Sequence, residues 1–166
     1  MNELDTNELV EIIFSVEGLA EPRTLRVPKT TTVGQFGKTA SQDAGITGPV
    51  LIYLENSDEP LGAEGILLDH LPTTFAPFHV ALHRDIRVNV RYQNAEKQRV
   101  FRPSATILRI IEWAIGPEGF GLTGDASDIQ IKHDGQVVPK DYHLGQLARG
   151  DKTVTLDLVF NVKPQG

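Results

Sequence analysis

The sequence predicts an α+β fold that is built twice, as two tandem domains that each pack a mixed sheet on one helix. Two observations carry this prediction. Alternating apolar residues open each half of the chain, at 10–16 and again at 86–92, and the second run starts 76 residues after the first. One amphipathic helical pattern then follows in each half, between strand patterns. A repeat of this length predicts an internal duplication whose copies are near the lower size limit of a single domain.

Each copy is predicted to begin with a β-hairpin. The first alternating run is followed by a turn, at 18–22 or 93–97, and by a short second strand, at 24–27 or 99–102. Pro28 and Pro103 follow these second strands, and proline is tolerated at a strand end but not inside a central ladder. The hairpins should therefore form one side of each sheet.

The hairpin should lead into a helix and then into further strands. Helices are predicted at 33–44 and 107–115, with N-caps supplied from 30–32 and 104–106 and with Gly45 and Gly116 at their ends. Third strands are predicted at 50–54 and 129–133, the latter followed by an Asp134-Gly135 turn, and last strands at 78–82 and 154–160. A helix of about 12 residues covers one sheet face, so we expect the other face of each sheet to lie in solvent.

These elements divide the chain into four parts: a polar lead at 1–8, a first domain at 9–83, a second domain at 84–162 and a tail at 163–166. Only His83, Arg84 and Asp85 separate the alternating runs of the two domains. A connection this short cannot act as a flexible tether. The two domains should therefore have a restricted relative orientation.

The composition excludes several classes of protein. The chain is 40% apolar and 23% charged, has no cysteine, and carries a net charge of −6. No stretch reaches the roughly 20 apolar residues of a membrane span, and the polar start does not resemble a signal peptide, so we expect a cytoplasmic protein without a membrane partner. The missing cysteines remove thiol chemistry, and the acidity argues against nucleic-acid binding. Residues 1–84 carry a net −7 and residues 85–166 a net +1, so the two halves offer different surfaces to partners.

The candidate catalytic and metal-binding residues favour structural roles. His79 and His83 have the spacing of a helical metal pair, but four residues along a strand separate them by about 13 Å. His133 and Asp134 are typical of a hairpin turn. Because no nucleophile, base and orienting group cluster in the sequence, we expect neither an enzyme nor a bound metal or cofactor. Trp113 is interpreted as packing against the core, and the acids Asp58, Glu59 and Glu64 as a solvated loop.

A family resemblance rests on the end of the chain. Residues 155–162 read T-L-D-L-V-F-N-V and continue into K-P-Q-G, which resembles the last strand and tail of ubiquitin, and four of these eight positions are identical. The order of elements in each copy resembles the ubiquitin β-grasp fold. Two such domains ending in glycine resemble the vertebrate interferon-induced tandem modifier and its BilA-like counterparts in bacterial defence operons.

That resemblance implies a ubiquitin-like protein modifier in bacterial antiviral defence. The carboxylate of Gly166, at the end of the tail Lys163, Pro164 and Gln165, would be activated by an E1-like enzyme that uses ATP. It would then pass to an E2-like carrier and to a target protein amine, and a deconjugating metalloprotease would release it. Two alternatives stay open: a non-covalent adaptor whose open sheet faces bind partners, and a sulfur carrier that receives a thiocarboxylate on Gly166.

The sequence also predicts a partner-binding surface on the second sheet. Alternation should place Leu156, Leu158 and Phe160 under the helix. The outward residues are then Asp157, Val159 and Asn161, which should border Lys132 and Arg87 or Arg91. By resemblance, Val159 occupies the place of an outward valine with which ubiquitin contacts partners.

Overall fold

The computed structural model describes residues 8–71 and 76–160. The first domain contains β1 (Leu9–Val16), β2 (Arg23–Pro28), α1 (Val33–Ala44), β3 (Leu51–Tyr53), a 3₁₀ helix (Leu67–His70) and β4 (Phe78–Ala81). Its sheet has the order β2-β1-β4-β3, in which β1 and β4 are parallel and the other pairs antiparallel. Ile12, Phe14 and Val16 alternate along β1 and lie buried against α1 and its neighbours.

The second domain repeats this plan with one additional short strand. It contains β5 (Ile86–Tyr92), β6 (Ala95–Phe101), α2 (Ile107–Ile115), a 3₁₀ helix (Ala126–Asp128), β7 (Ile129–His133), β8 (Gln136–Val137), α3 (Gly145–Ala148) and β9 (Thr153–Phe160). The strand order is β6-β5-β9-β7-β8, with β5 and β9 parallel. The predicted α+β class and its two mixed sheets, each with a helix, are confirmed. The exact domain limits stay a prediction.

Both long helices have the bounds that the sequence predicts. The Thr32 side chain caps α1 and forms a capping box with Gln35, while Gly45 ends the helix in the left-handed conformation with φ of 72°. The Thr106 side chain caps α2 by accepting from Arg109 N, without a capping box. Gly116, in contrast, has φ of −76°, so its backbone conformation at the end of α2 is one that residues other than glycine also adopt.

Two details of the second copy differ from the sequence prediction. The turn predicted at 93–97 is only two residues long, because Tyr92 pairs with Ala95 and Gln93 takes a positive φ of 53°. β6 therefore begins at Ala95, four residues before the predicted start, and its exposed polar side chains hid this extension. The strand register also aligns Phe78 with Leu156, a spacing of 78 rather than 76 residues.

Every residue of the connection between the domains is fixed by a polar contact. The buried Glu17 carboxylate accepts hydrogen bonds from the backbone N–H groups of Leu82 and His83 at 3.1 and 3.2 Å, and it contacts His83 Nδ1 at 2.9 Å. Arg84 donates to Glu59, and Asp85 accepts from Arg102. The connection is thus anchored on both domains.

A loop of the first domain forms a second connection. Its acids Asp58, Glu59 and Glu64 are exposed, as expected of a solvated loop, but the loop also contacts the second domain. Asn56 donates its backbone N–H to Ser104 O at 3.0 Å and accepts from Thr106 N at 2.8 Å, at the start of α2. The carbonyl of Asp58 accepts from Arg102 Nε at 2.7 Å. The loop therefore satisfies backbone groups at the N-terminus of a helix in the other domain.

The expectation that both outer sheet faces lie in solvent is also wrong for the first sheet. Ser15, Tyr53, His79 and Ala81 point away from α1, yet each is at most 1% exposed. Residues 143–146 of the second domain contact this part of the face. Ile13, farther along the same face, is 42% exposed, so the second domain covers only the end of the face near the connection.

Gly145 lies at a close contact between the domains. Its carbonyl accepts from Gly18 N at 2.9 Å, and its own N–H donates to Pro103 O at 2.9 Å. A Cβ at this position would lie 2.1 Å from His79 Nε2 and 3.1 Å from Pro103 Cβ. The fit of the two domains therefore requires a residue without a side chain here.

These contacts predict that the domains tumble as one body at neutral pH. Backbone ¹⁵N relaxation over 8–71 and 76–160 should give a single overall correlation time for both sheets, because every residue of the connection is bonded on one side or the other. Two independent, shorter correlation times would contradict the fixed junction.

Gly145→Ala should destabilise the chain by about 1–3 kcal/mol, the usual range for overpacking a close contact. The new methyl group would overlap the His79 ring, which is buried and cannot move into solvent. The measurement is urea unfolding at pH 7.5. Gly62→Ala is the matched control, since a Cβ there meets no atom within 4 Å. Equal stabilities of the two variants would show that the junction can adapt to a side chain.

Candidate functional site

The outer face of the second sheet carries a row of charges that runs across its strands. The register places Arg91 opposite Glu96 on one side and Asp157 on the other, and it places Lys132 opposite Asp157. Val137 ends the row opposite Lys132 and is 51% exposed. Charges therefore alternate in sign across the row, which stabilises neighbouring strands.

Arg91 and Asp157 form a two-point ion pair at the middle of this row. Arg91 Nε donates to Asp157 Oδ1 at 2.8 Å and Nη2 donates to Oδ2 at 3.2 Å. The hydrogen bond and the charge of Asp157 raise the pKa of Arg91 above its usual value. Both side chains are solvent-accessible, so the pair fixes the orientation of the two groups more than it stabilises the fold.

The structure places the other predicted surface residues around this pair. Val159 points outward opposite Gln130 and is partly exposed, whereas Arg87 lies opposite Thr153 near the other end of β9. The face thus presents one partly exposed valine on β9 beside fixed charges. Asn161 and the tail residues Lys163, Pro164, Gln165 and Gly166 lie outside the described residues.

Phe160 does not lie under the helix, and that prediction is wrong. Leu156 and Leu158 are buried as predicted, but Phe160 is 41% exposed and packs its ring against Tyr92 at a centroid distance of 5.8 Å. Phe160 is the last residue of β9, so the alternation that places Leu156 and Leu158 in the core does not by itself give burial at the end of the strand.

The direction of β9 carries the chain away from the first domain. β5 begins at Ile86, next to the connection, and β9 runs parallel to it. Phe160, the last described residue, consequently lies at the end of the sheet far from the connection. The outer face of the second sheet and the end of β9 are thus on a side that the first domain leaves open.

A cluster of buried polar side chains lies between the domains and was missed from the sequence. Ser15 Oγ lies 2.6 Å from His79 Nδ1 and 2.5 Å from His143 Nδ1, and His143 Nε2 lies 2.9 Å from Glu55 Oε1. We call Ser15, His79, His143 and Glu55 the junction cluster. The prediction considered His79 only with His83, because the pairing of His79 with a residue 64 positions away carries no local signal.

The partners in the junction cluster define where its protons lie. The Glu55 carboxylate can only accept, so His143 Nε2 carries a proton. When the His143 ring is neutral, its Nδ1 accepts the Ser15 hydroxyl proton. Ser15 Oγ then accepts from His79 Nδ1–H, which leaves His79 Nε2 without a proton. Burial first, and the neighbouring His143 second, lower the pKa of His79 well below its usual value of 6.5.

The junction cluster has the residue types of a catalytic triad, but its serine is not accessible to a substrate. A serine next to a histidine that contacts a carboxylate is the order of a catalytic triad. Ser15 is only 1% exposed, however, and its hydroxyl is bonded to two rings, so no acyl group can approach its oxygen. Within 8–71 and 76–160, no three His, Asp or Glu side chains group as metal ligands.

Trp113 packs as predicted, at the edge of the second core. Its ring contacts Phe101 at 5.6 Å, and the Arg99 guanidinium lies 4.8 Å above the Phe101 ring. The described helices are all too short or too polar to cross a membrane.

Comparison with known families identifies the second domain. Residues 87–161 match the family described as BilA ubiquitin-like domain 2. A comparison with curated protein sequences finds no significant match.

Several solved structures are similar to part of the chain. A protein described under molecular mimicry of SUMO that promotes DNA repair is 11% identical, with a TM-score of 0.40 and coverage of 47% of this chain and 94% of its own. The N-terminal ubiquitin-like domain of the 4931431F19Rik protein is 18% identical, with a TM-score of 0.40 and coverage of 50% and 81%. Ubiquitin from Caldiarchaeum subterraneum is 10% identical, with a TM-score of 0.40 and coverage of 49% and 99%.

The family match agrees with the two-copy architecture. The matched segment begins one residue inside β5 and extends one residue beyond β9, so it includes nearly the whole second sheet and its helix. The chain is a tandem ubiquitin-like protein similar to BilA, and its second domain matches the model of BilA ubiquitin-like domain 2.

Proposed function

We propose that this chain is a ubiquitin-like protein modifier that is conjugated through Gly166 in bacterial antiviral defence. An E1-like enzyme would form an adenylate on the Gly166 carboxylate with ATP. A thioester on enzyme cysteines would follow, and finally an amide bond to an amine of the target. The chain supplies no cysteine of its own, so each thioester is made on a partner.

The observation that carries this proposal is the family match of the second domain. The matched residues end at 161, five positions before Gly166, so the tail follows directly on a ubiquitin-like domain. A glycine carboxylate has no side chain to obstruct a narrow enzyme channel. A deconjugating metalloprotease would act on the amide formed at the same residue.

The second sheet offers a surface suited to the activating enzyme. Its outer face combines the partly exposed Val159 with the oriented Arg91–Asp157 pair, while part of the corresponding face of the first sheet is covered. An apolar contact surrounded by fixed charges is the arrangement of a specific interface. The first domain would act at a distance from the reaction, because β9 leads away from it.

Gly166→Ala should slow thioester formation roughly a hundredfold, because a Cβ displaces the reacting carbonyl in the enzyme channel. Deletion of Gly166 should abolish productive conjugation. The measurement is incubation with the cognate activating enzyme and ATP, followed by detection of a reducible mass shift on non-reducing gels.

Gly62→Ala controls for a glycine substitution elsewhere and should conjugate normally. If the deletion variant still forms ATP-dependent adducts, the assignment to Gly166 is wrong. If every variant retains partner binding and none, including the unmodified chain, forms adducts, the non-covalent adaptor is the correct function.

Val159→Asp should weaken binding to the activating enzyme at least tenfold and change the melting temperature little, because Val159 faces outward. Val100→Asp is the matched control, since Val100 lies on the same face at the β6 edge and is 48% exposed. Calorimetric titration and thermal melts measure the two effects. A large loss of stability in Val159→Asp would show that this valine is part of the core, and equal loss of binding in both variants would contradict a specific contact.

A further inference from the structure

The junction cluster holds two histidines in a site without solvent. His79 and His143 are both 0% exposed, and their rings meet edge to face at a centroid distance of 5.2 Å. One hydroxyl, that of Ser15, lies between their Nδ1 atoms. The domains are therefore joined through a hydrogen-bond chain that has a single proton arrangement when both rings are neutral.

His79 has no acceptor for a second proton. Its Nε2 atom is buried without a hydrogen-bond partner and lies against Gly145, which offers no side chain. Ser15 and His143 contact this ring directly. The other polar groups on the surrounding elements are Glu17 at the end of β1, Tyr53 opposite His79 on β3, Gln146 in α3, and Glu55, which contacts His143.

None of these groups can compensate a charge on His79. Glu17 is committed to the connection between the domains, and Glu55 contacts His143 rather than His79. The adjacent His143 opposes a second cation. Protonation at Nε2 would therefore leave a buried cation without a partner, which is strongly unfavourable.

We propose that the junction cluster is an acid-released latch: protonation of His79 separates the two domains and uncovers the outer face of the first sheet. The groups that become accessible are Ser15, Tyr53, His79 and Ala81, which form the covered end of that face. In the closed chain only the outer face of the second sheet is fully open. In the open chain the outer faces of both sheets are.

The distribution of apolar residues allows separation without unfolding. The buried apolar residues form two clusters, one within the first domain and one within the second. The polar contacts across the junction are hydrogen bonds and ion pairs that water can replace once the domains part. Opening therefore breaks neither core.

The pH range follows from proton linkage. In the open form His79 is in water and titrates near its usual pKa of about 6.5, whereas its pKa in the closed form is lower. The open form therefore binds more protons between these two values. The junction is fully stable above about pH 6.5, and the ratio of open to closed chains should rise about tenfold for each pH unit below it, until the lower pKa is reached.

Paired labels on the full chain test this proposal. The chain has no cysteine, so Gln42→Cys and Glu118→Cys, both at exposed positions of different domains, accept spin labels selectively. Distance measurements from pH 7.5 to pH 4.5 should show one population at neutral pH. A second, broader population should grow reversibly in acid, while far-ultraviolet circular dichroism stays unchanged.

Variants of two histidines separate the latch from general acid effects. His79→Asn keeps an N–H donor toward Ser15 and removes the titrating ring, so the acid-dependent population should disappear. His133→Asn is the matched control, because His133 lies at the end of β7 next to Asp134, outside the junction cluster, and it should open as the parent chain does.

A second measurement on the parent chain covers the case in which His79→Asn does not fold. Imidazole ¹⁵N spectra should show His79 as the neutral Nδ1–H form at pH 7.5, and its cation only in proportion to the open population. A single distance population at all pH values, a His79 cation in the closed form, or loss of circular dichroism together with opening would each overturn the latch.

Discussion

The hydroxyl proton of Ser15 is the constraint on which the arrangement of the two domains depends. A hydroxyl has one proton to give, and here it lies between two ring nitrogens from different domains. The Glu55 carboxylate determines which ring nitrogen accepts that proton. It accepts from His143 Nε2, which leaves Nδ1 of a neutral His143 ring as the acceptor. Glu55, Ser15 and His79 belong to the first domain and His143 to the second, so both domains are needed to define one proton arrangement.

Local sequence patterns predicted the elements and the core within each domain, but they did not predict the contacts between the domains. The bounds of α1 and α2 followed from caps and apolar spacing, because these signals lie within a few residues of the helix ends. The burial of His79 and Ser15 depends on the contact between Ser15 and His143, which are 128 positions apart in the sequence. No sequence periodicity indicates so distant a contact. The outward Val159 followed from alternation, whereas Phe160 shows that alternation alone does not predict burial at the end of a strand.

The two sheets differ in what their outer faces do. In the first sheet this face is partly an interior surface, with a serine and a histidine at positions that strand alternation assigns to solvent. In the second sheet it carries opposite charges in register and stays accessible. The difference between the net charges of the two halves is consistent with this division, since Arg102 and Arg109 of the second half contact the acidic first half.

The Arg91–Asp157 pair also limits how many copies such an array can hold. By strand register, Arg91 and Asp157 occupy in the second sheet the places of Ser15 and His79 in the first. A third copy docked by the same geometry would have to bury a charged pair where the first domain buries neutral groups, and burial of such a pair carries a large desolvation cost. The same docking is therefore unfavourable on the second sheet, so the two copies are not interchangeable: one has a face that a neighbouring domain covers, and the other has a charged face that stays accessible.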